Sequence, residues 1–344
     1  MFNAGLKTWT CELLRSRGVA CASYSGVTAE PDDAMVAEGA EIYRREGCDF
    51  LVGLGGGSPM DCAKAIGVAL TDDRPLRDLM TGQIRRPIPP LAAIPTTAGT
   101  GSETTAVTII SDRQTQVKML LKGDALMPRI AVVDPDLSRN VPESVAAASG
   151  LDALTHAIEA YTSRRAFEIS DQFALSAIAR IFANIEAACA GDAKARAQMA
   201  LGSYEAGVSF GNSSVTIVHG MSRPIGALFH VPHGLSNAML LPDCLEFALD
   251  GALERFAALG RRIGAAGDID SDARAAEKFA DAVRGLCARC KVPTLRQYGV
   301  NLEEFARMTD KMATDALASG SPANTRKEVG KEDVIKIYNR VASL

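Results

Sequence analysis

The feature that most constrains the fold is an apolar segment that leads into a glycine-rich loop and then into a helix. Residues 48–54 (Cys-Asp-Phe-Leu-Val-Gly-Leu) have the composition of a buried strand, and Gly55-Gly-Gly-Ser58 follows directly. Pro59 suits the first turn of a helix, and residues 60–70 have helical spacing. A strand, a glycine loop and a helix in this order predict a βαβ unit, and therefore a parallel sheet covered by helices.

The rest of the N-terminal part continues this alternation, whereas the C-terminal part does not. Strands are predicted at residues 19–24, 90–95, 104–110, 117–121 and 130–133. Beyond Pro142 strand patterns stop and long helical patterns dominate, as in residues 171–189 and 272–290. We therefore predict two domains, an α/β domain over residues 1–141 and an all-helical domain over residues 142–344.

Composition and charge exclude several classes of function. The net charge is −4, and no window concentrates Lys or Arg, so neither nucleic acid nor an anionic membrane is an expected partner. The N-terminus does not resemble a signal peptide, and no run of about 18 apolar residues occurs. We expect a soluble cytoplasmic protein. Its eight scattered cysteines are expected to be free thiols, and Cys287-x-x-Cys290 has no second pair to complete a zinc site.

Two loops are candidates for binding a nucleotide. The glycine loop, Gly55-Gly56-Gly57-Ser58, would let the backbone approach a pyrophosphate at the start of a helix. It completes neither a G-x-G-x-x-G motif nor a P-loop, so an ordinary tight turn is the alternative interpretation.

The second loop, which we call the threonine loop, spans residues 96–103 and follows the predicted strand at 90–95. Open α/β sheets bind ligands beyond the carboxyl ends of their strands. A turn in which Ser102 and Glu103 cap a helix is the alternative. The hydroxyl groups that could reach a ligand belong to Thr96, Thr97, Thr100 and Ser102.

The histidines indicate a metal site. All four lie between His156 and His233, and Asp152 precedes His156 by four residues, which places both on one face of a helix. With His219 and His233 they form an oxygen and nitrogen set suited to Fe²⁺, Zn²⁺, Mn²⁺ or Co²⁺. A single histidine is more often a core or surface residue, but the clustering favours a site. We expect Glu159 to support these ligands or face solvent.

Four segments in this order resemble motifs of the iron-containing alcohol dehydrogenases: residues 55–61 (GGGSPMD), 95–103 (PTTAGTGSE), 150–159 (GLDALTHAIE) and 229–234 (FHVPHG). The resemblance implies a dehydroquinate synthase-like fold, with an N-terminal Rossmann-like dinucleotide-binding domain and a C-terminal all-helical metal-binding domain. It implies an oxidoreductase that interconverts alcohols with aldehydes or ketones by using NAD or NADP and a divalent ion such as Fe²⁺.

The resemblance also implies roles for individual residues. The metal ligands would be Asp152, His156, His219 and His233. Lys118 would face the cofactor, although a solvated lysine at a strand edge is the alternative. The residues at the cofactor phosphates and along the nucleotide would be Gly56, Gly57, Ser58, Asp61, Thr96, Thr97 and Ser102.

The sequence departs from the family pattern in two places. The family usually begins with an additional strand and a ribose-binding loop, and the match predicts that this chain starts after them. Many relatives carry a second histidine four residues after the third ligand, where this chain has Arg223. Arginine can clamp an anionic group with two hydrogen bonds, so the substrate is expected to carry such a group. His230 is the candidate proton relay, with a side chain that simply faces solvent as the alternative.

Other interpretations remain. A glycerol or polyol dehydrogenase, or 3-dehydroquinate synthase, would keep the topology, but the ligand set favours the alcohol dehydrogenase branch. A catalytically silent homologue without its first strand is a different class of answer. The substrate is expected to be a small alcohol or aldehyde, and the chain is expected to form a homodimer or a larger homo-oligomer.

Overall fold

The chain divides into two compact units. The computed structural model describes residues 2–28, 30–115 and 117–344, with side chains from residue 5 onward. Met1–Thr97 and Gly101–Asn140 form the first unit, and Ala98–Thr100 and Val141–Leu344 form the second. We call them the α/β unit and the helical unit. None of the helices in the described chain is long and apolar enough to cross a membrane.

The α/β unit contains two small sheets and three helices among its described residues. The helices are α1 (Phe2–Ser16), α2 (Asp33–Arg45) and α3 (Gly57–Thr71). The strands are β1 (Leu51–Gly55), β2 (Leu91–Pro95), β3 (Val107–Ser111), β4 (Lys118–Lys122) and β5 (Ile130–Ala131). A parallel sheet has the order β1-β2-β5, with Leu51 opposite Leu91, and β3 pairs with β4 in antiparallel fashion.

The segment from β1 through α3 has the predicted strand, loop and helix order. Gly55, the last residue of β1, has a φ of 147°, and a Cβ there would lie 2.7 Å from Pro59 Cγ. Glycine is required at this turn because any side chain would meet the proline ring. The buried face of α3, which includes Cys62 and Ile66, packs with α2 and the β3–β4 pair.

The predicted strand at residues 19–24 is wrong. These residues adopt no regular structure, although their spacing is β-like. A strand is stable only where a neighbour accepts its backbone hydrogen bonds, and neither sheet of the described chain contains a strand paired with this segment.

The helical unit is built around α4 (Glu143–Thr162), in which every residue from Gly150 to Thr162 is buried. Its side chains Leu151, Leu154 and Ile158 are completely buried. Pro224 lies inside a helix that continues to Phe229, although proline usually kinks or ends a helix. The helices are α4 (Glu143–Thr162), α5 (Glu168–Cys189), α6 (Ala193–Ser213), α7 (Ile217–Phe229), α8 (His233–Ala248), α9 (Leu253–Arg262), α10 (Asp272–Arg289), α11 (Leu295–Tyr298), α12 (Leu302–Ala318) and α13 (Lys331–Ala342).

Candidate metal and nucleotide sites

Three helices of the helical unit bring the four predicted metal ligands together. Asp152 and His156 come from α4, His219 from α7, and His233 from the first position of α8. One ligand atom from each lies within 4.8 Å of all the others, and we call this set the His/Asp cluster. Asp152 Oδ1 is 3.6 Å from His219 Nε2 and 3.8 Å from His233 Nε2.

A glycine permits the close approach of α8 to α4. A Cβ on Gly234 would lie 2.6 Å from the carbonyl oxygen of Ala148 and 3.2 Å from Asp152 Cβ. A side chain at position 234 would therefore separate the two helices and move His233 away from Asp152.

The histidine rings are held by stacking. His156 lies between the rings of Phe210 and His219, with centroids 4.1 and 4.3 Å away. Its Nδ1 atom is buried and has no hydrogen-bond partner among the described residues. This nitrogen lies beside a carboxylate and two further imidazoles. A buried nitrogen without a partner in such surroundings is the arrangement expected of a ligand that binds a metal ion.

Glu159, also on α4, supports the cluster from outside, as the sequence suggested. Its carboxylate accepts a hydrogen bond from Nδ1 of His219, and it also contacts Thr216 and Val218 at the start of α7. Only 1% of Glu159 is exposed, so these partners, rather than water, stabilise its negative charge.

Asn237 is a member of this site that sequence reasoning missed. Its amide nitrogen donates to Asp152 Oδ1 at 2.7 Å and lies 3.1 Å from His219 Nε2 and 3.3 Å from His233 Nε2. Asn237 stands four residues after His233, so both project from the same face of α8. The spacing that linked Asp152 to His156 could have revealed it.

Burial and neighbouring charges shift the pKa of three of the proposed ligands. Burial would raise the pKa of Asp152, but His156, His233 and His219 lower it below its usual range. Burial lowers the pKa of His156 to about 3, against the attraction of Asp152. At His219 burial is outweighed by Glu159 and Asp152, which raise the pKa to about 9. Two carboxylates thus attract positive charge to His219, where a proton and a metal ion would compete.

Arg223 and His230, the two residues that depart from the family pattern, are both on or beside α7. Arg223 lies one turn beyond His219, and its guanidinium forms no hydrogen bond or ion pair within the described part of the chain. Burial lowers the pKa of Arg223, and Glu159 opposes this shift. His230 follows the last residue of α7, is exposed and has left-handed backbone, with a φ of 53°.

In the α/β unit, the glycine loop forms the start of α3. Gly56 is the N-cap, and Gly57 and Ser58 are the first two residues of the helix. Their N–H groups have no acceptor within the helix, which suits an anion. Thr97 lies beside the loop, since a Cβ on Gly56 would be 3.4 Å from Thr97 Oγ1. Thr96 is buried, and Thr100 belongs to the helical unit.

Asp61 and Ser102, both predicted at the cofactor, hydrogen-bond to each other. Ser102 Oγ donates to Asp61 Oδ1 at 2.6 Å, and the N–H of Ile109 donates to Asp61 Oδ2 at 3.0 Å. Both side chains thus tie the threonine loop to α3. Whether they also contact a nucleotide stays a prediction.

Lys64 of α3 connects the helix to the threonine loop and to β3, and the sequence did not reveal it. The side chain is completely buried, and Nζ has five acceptors at 2.7–3.1 Å. Burial lowers its pKa to about 8, against the attraction of Asp61 and Glu103. We call this the lysine network; the five acceptors are the carbonyl oxygens of Ser102, Thr105 and Val107 and the hydroxyls of Ser102 and Thr105.

Lys118 lies on β4 and forms an ion pair with Glu30, at 2.8 Å. A quarter of the Lys118 side chain is exposed. Its contact with the cofactor stays a prediction.

Comparison with known families agrees with the geometry. Residues 1–135 match the family model for iron-containing alcohol dehydrogenase, and residues 146–342 match the model for the C-terminal part of the same family. The chain belongs to the iron-containing alcohol dehydrogenase family. The resemblance drawn from four motifs is thereby confirmed.

Relatives of known activity extend over nearly the whole chain. Lactaldehyde reductase of Escherichia coli K12 is 34% identical over 345 residues, covering 98% of this chain and 89% of that protein. A crystal structure of 1,3-propanediol oxidoreductase superimposes with a TM-score of 0.94 at 34% identity, covering 97% of this chain and 88% of the other. The structure of sulfoacetaldehyde reductase of Bifidobacterium kashiwanohense in complex with NAD⁺ superimposes with a TM-score of 0.88 at 29% identity, covering 99% of this chain and 89% of the other.

As an iron-containing alcohol dehydrogenase, the protein is an oxidoreductase that interconverts alcohols with aldehydes or ketones, using NAD(P) and a metal ion. The predicted combination of a parallel-sheet domain with an all-helical domain is confirmed as well.

Proposed function

We propose that the helical unit holds a divalent ion at Asp152, His156, His219 and His233, and that the α/β unit binds the dinucleotide. The convergence of four ligand atoms within 4.8 Å carries the proposal. Three imidazoles and one carboxylate suit Fe²⁺ or Zn²⁺.

Two chemistries would be supplied by the bound groups. A bound divalent ion would stabilise negative charge on an alcohol or carbonyl oxygen, and a bound nicotinamide would accept or supply the hydride. The residues of the chain provide orientation and charge. The predicted nucleotide contacts are Gly55, Gly56, Gly57, Ser58, Asp61, Thr96, Thr97, Thr100, Ser102 and Lys118. Asp61 and Ser102 already hold the threonine loop against α3, which would fix its shape for the nucleotide.

The experiment is a panel of alcohols and aldehydes assayed with NAD(H) and NADP(H), before and after loading with Fe²⁺ or Zn²⁺. We expect turnover only after loading. Turnover that is equal before and after loading, in protein stripped with a chelator, would contradict a metal-dependent reaction.

We further propose that the substrate carries an anionic group bound by Arg223. The guanidinium is desolvated, and Glu159, the carboxylate that acts on it, already accepts hydrogen bonds from His219, Thr216 and Val218. A desolvated guanidinium without a hydrogen-bonded partner is strongly stabilised by a carboxylate, sulfonate or phosphonate of the substrate, which can accept two charge-assisted hydrogen bonds. A structural neighbour is named as a reductase of sulfoacetaldehyde, a substrate with a sulfonate.

Replacing Arg223 tests the substrate class. Charge-assisted hydrogen bonds contribute about 1.5–3 kcal/mol, so Arg223→Met should lower kcat/KM for 4-hydroxybutyrate about 10- to 150-fold. Butan-1-ol, which lacks the carboxylate, should be affected less than about 2-fold. Arg262→Met, which removes an exposed arginine on α9, controls for net charge. Equal losses on both substrates would rule out the anion-binding role.

His230 is proposed to relay a proton between the substrate oxygen and water. Its exposure, three residues before His233, supports access to solvent. His230→Gln should alter the dependence of kcat on pH, and an unchanged profile would remove the role. A homodimer or larger assembly and a cytoplasmic location stay predictions.

A further inference from the structure

Glu159 is a buried carboxylate whose contacts reach both a proposed metal ligand and the start of a helix. Oε2 accepts a hydrogen bond from His219 Nδ1 at 2.5 Å. Oε1 accepts from Thr216 Oγ1 at 2.8 Å and from the N–H of Val218 at 2.6 Å. The carboxylate therefore has a partner on each oxygen.

The contact with the ring decides which nitrogen of His219 carries hydrogen. An ionised carboxylate can only accept, so His219 must donate from Nδ1. In a neutral ring the lone pair is then on Nε2. Nε2 is the nitrogen that lies 3.6 Å from Asp152 Oδ1, on the side of the His/Asp cluster.

The other oxygen ties the same carboxylate to the backbone that carries the ring. The first N–H groups of α7 have no acceptor inside the helix, and the side chain of Thr216, its N-cap, makes no capping bond. Glu159 of α4 supplies the missing acceptor for the N–H group of Val218. The ring of His219 and the start of its helix are thus fixed to one carboxylate.

We propose that Glu159 is a positioning residue that holds His219 in the tautomer with hydrogen on Nδ1, so that Nε2 faces a divalent metal ion. The inference rests on the proposed function, because it takes the His/Asp cluster as the metal site. Groups that hydrogen-bond to metal-bound histidines change metal affinity about 10- to 100-fold.

The experiment compares Zn²⁺ and Co²⁺ binding by the full chain, Glu159→Gln and Thr216→Val. Glu159→Gln keeps the size of the side chain but removes its charge. It should raise the Zn²⁺ dissociation constant about 10- to 100-fold and alter the visible spectrum of bound Co²⁺. Thr216→Val removes another bond to the same carboxylate and leaves the ring contact. It should lower Tm, keep the Co²⁺ spectrum and change affinity less than about 2-fold.

A measurement on the unaltered chain covers the case in which Glu159→Gln does not fold. Nitrogen-15 NMR of the metal-free protein, recorded at a pH high enough for the His219 ring to be neutral, reports the tautomer of this histidine, which should carry its hydrogen on Nδ1. A hydrogen on Nε2 alone would overturn the proposal.

The remaining outcomes separate the two levels of inference. Glu159→Gln with unchanged Zn²⁺ affinity and Co²⁺ spectrum, or Thr216→Val with an equal loss of affinity, would overturn the role of Glu159 alone. An unaltered chain that binds neither Zn²⁺ nor Co²⁺ would contradict the proposed metal site itself.

Discussion

Each of the two units buries a group of converging acceptor atoms, but the negative charge of these atoms is compensated in different ways. Around Lys64 five oxygens meet an ammonium group that belongs to the chain. In the His/Asp cluster a carboxylate oxygen and imidazole nitrogens meet one another, with the amide of Asn237 as the nearest donor. The α/β unit thus supplies its own cation, whereas the helical unit is arranged to receive one from outside.

The largest difference should come from removing a ligand. His156→Ala takes one nitrogen from the His/Asp cluster, so activity should fall more than about 100-fold, beyond the usual effect of an outer group. Tm of the metal-free protein should also fall, because the substitution removes a buried ring that stacks on Phe210 and His219. Steady-state assays and thermal melts measure both. Activity within 10-fold of the original would show that His156 is not a ligand.

Lys64→Met should lower the stability of the fold without affecting metal binding. It leaves five buried acceptors without their donor, and breaking a buried charged pair costs about 3–5 kcal/mol. The free energy of unfolding should fall by this amount in urea titrations, while Zn²⁺ affinity of the folded protein stays unchanged. A loss below about 1 kcal/mol would mean that the lysine network contributes little.

The lysine network should also make stability depend on pH. The pKa of Lys64 is lowered to about 8 in the folded chain, whereas an unfolded lysine titrates at about 10.4. Between these values the unfolded chain keeps a proton that the folded chain has lost, so stability rises with pH. The cost of burying the charge is fully present below pH 8. From pH 8 to 10.4 the stability of the original chain relative to Lys64→Met should increase by about 3 kcal/mol. A flat difference would contradict the lowered pKa.

Lys118→Met provides the smallest expected effect on stability. Its ion pair with Glu30 is partly exposed, and exposed pairs contribute about 0–1 kcal/mol. If Lys118 faces the cofactor as predicted, NADH affinity should nevertheless fall several-fold, as fluorescence titration would show. Unchanged affinity would favour the solvated alternative.

The sequence was most informative where one helix carries two site residues four positions apart. That spacing placed Asp152 beside His156, and the same rule would have added Asn237 to His233. It also placed Arg223 on the face of His219. Such pairs can be recognised because a helix fixes them without any knowledge of tertiary structure.

Lys64 could not be recognised in this way. Its acceptors lie 38–43 residues further along the chain, in a loop and strand that only the folded sheet brings close. A lysine on a helix is ordinarily solvated, so its burial depends on partners that local spacing does not reveal. The same limit explains residues 19–24, whose β-like pattern lacks a neighbouring strand.

Gly234 has a consequence for which metal the protein accepts. Selectivity among divalent ions depends on geometry as well as on the donor atoms. Since position 234 determines how near α8 can come to α4, it controls the distance between His233 and Asp152 without contributing a donor. Replacing Gly234 with alanine would move the ligands of the His/Asp cluster apart while leaving the donor atoms unchanged. The preference for one metal ion over another is therefore open to change, in evolution or by design, through helix spacing alone.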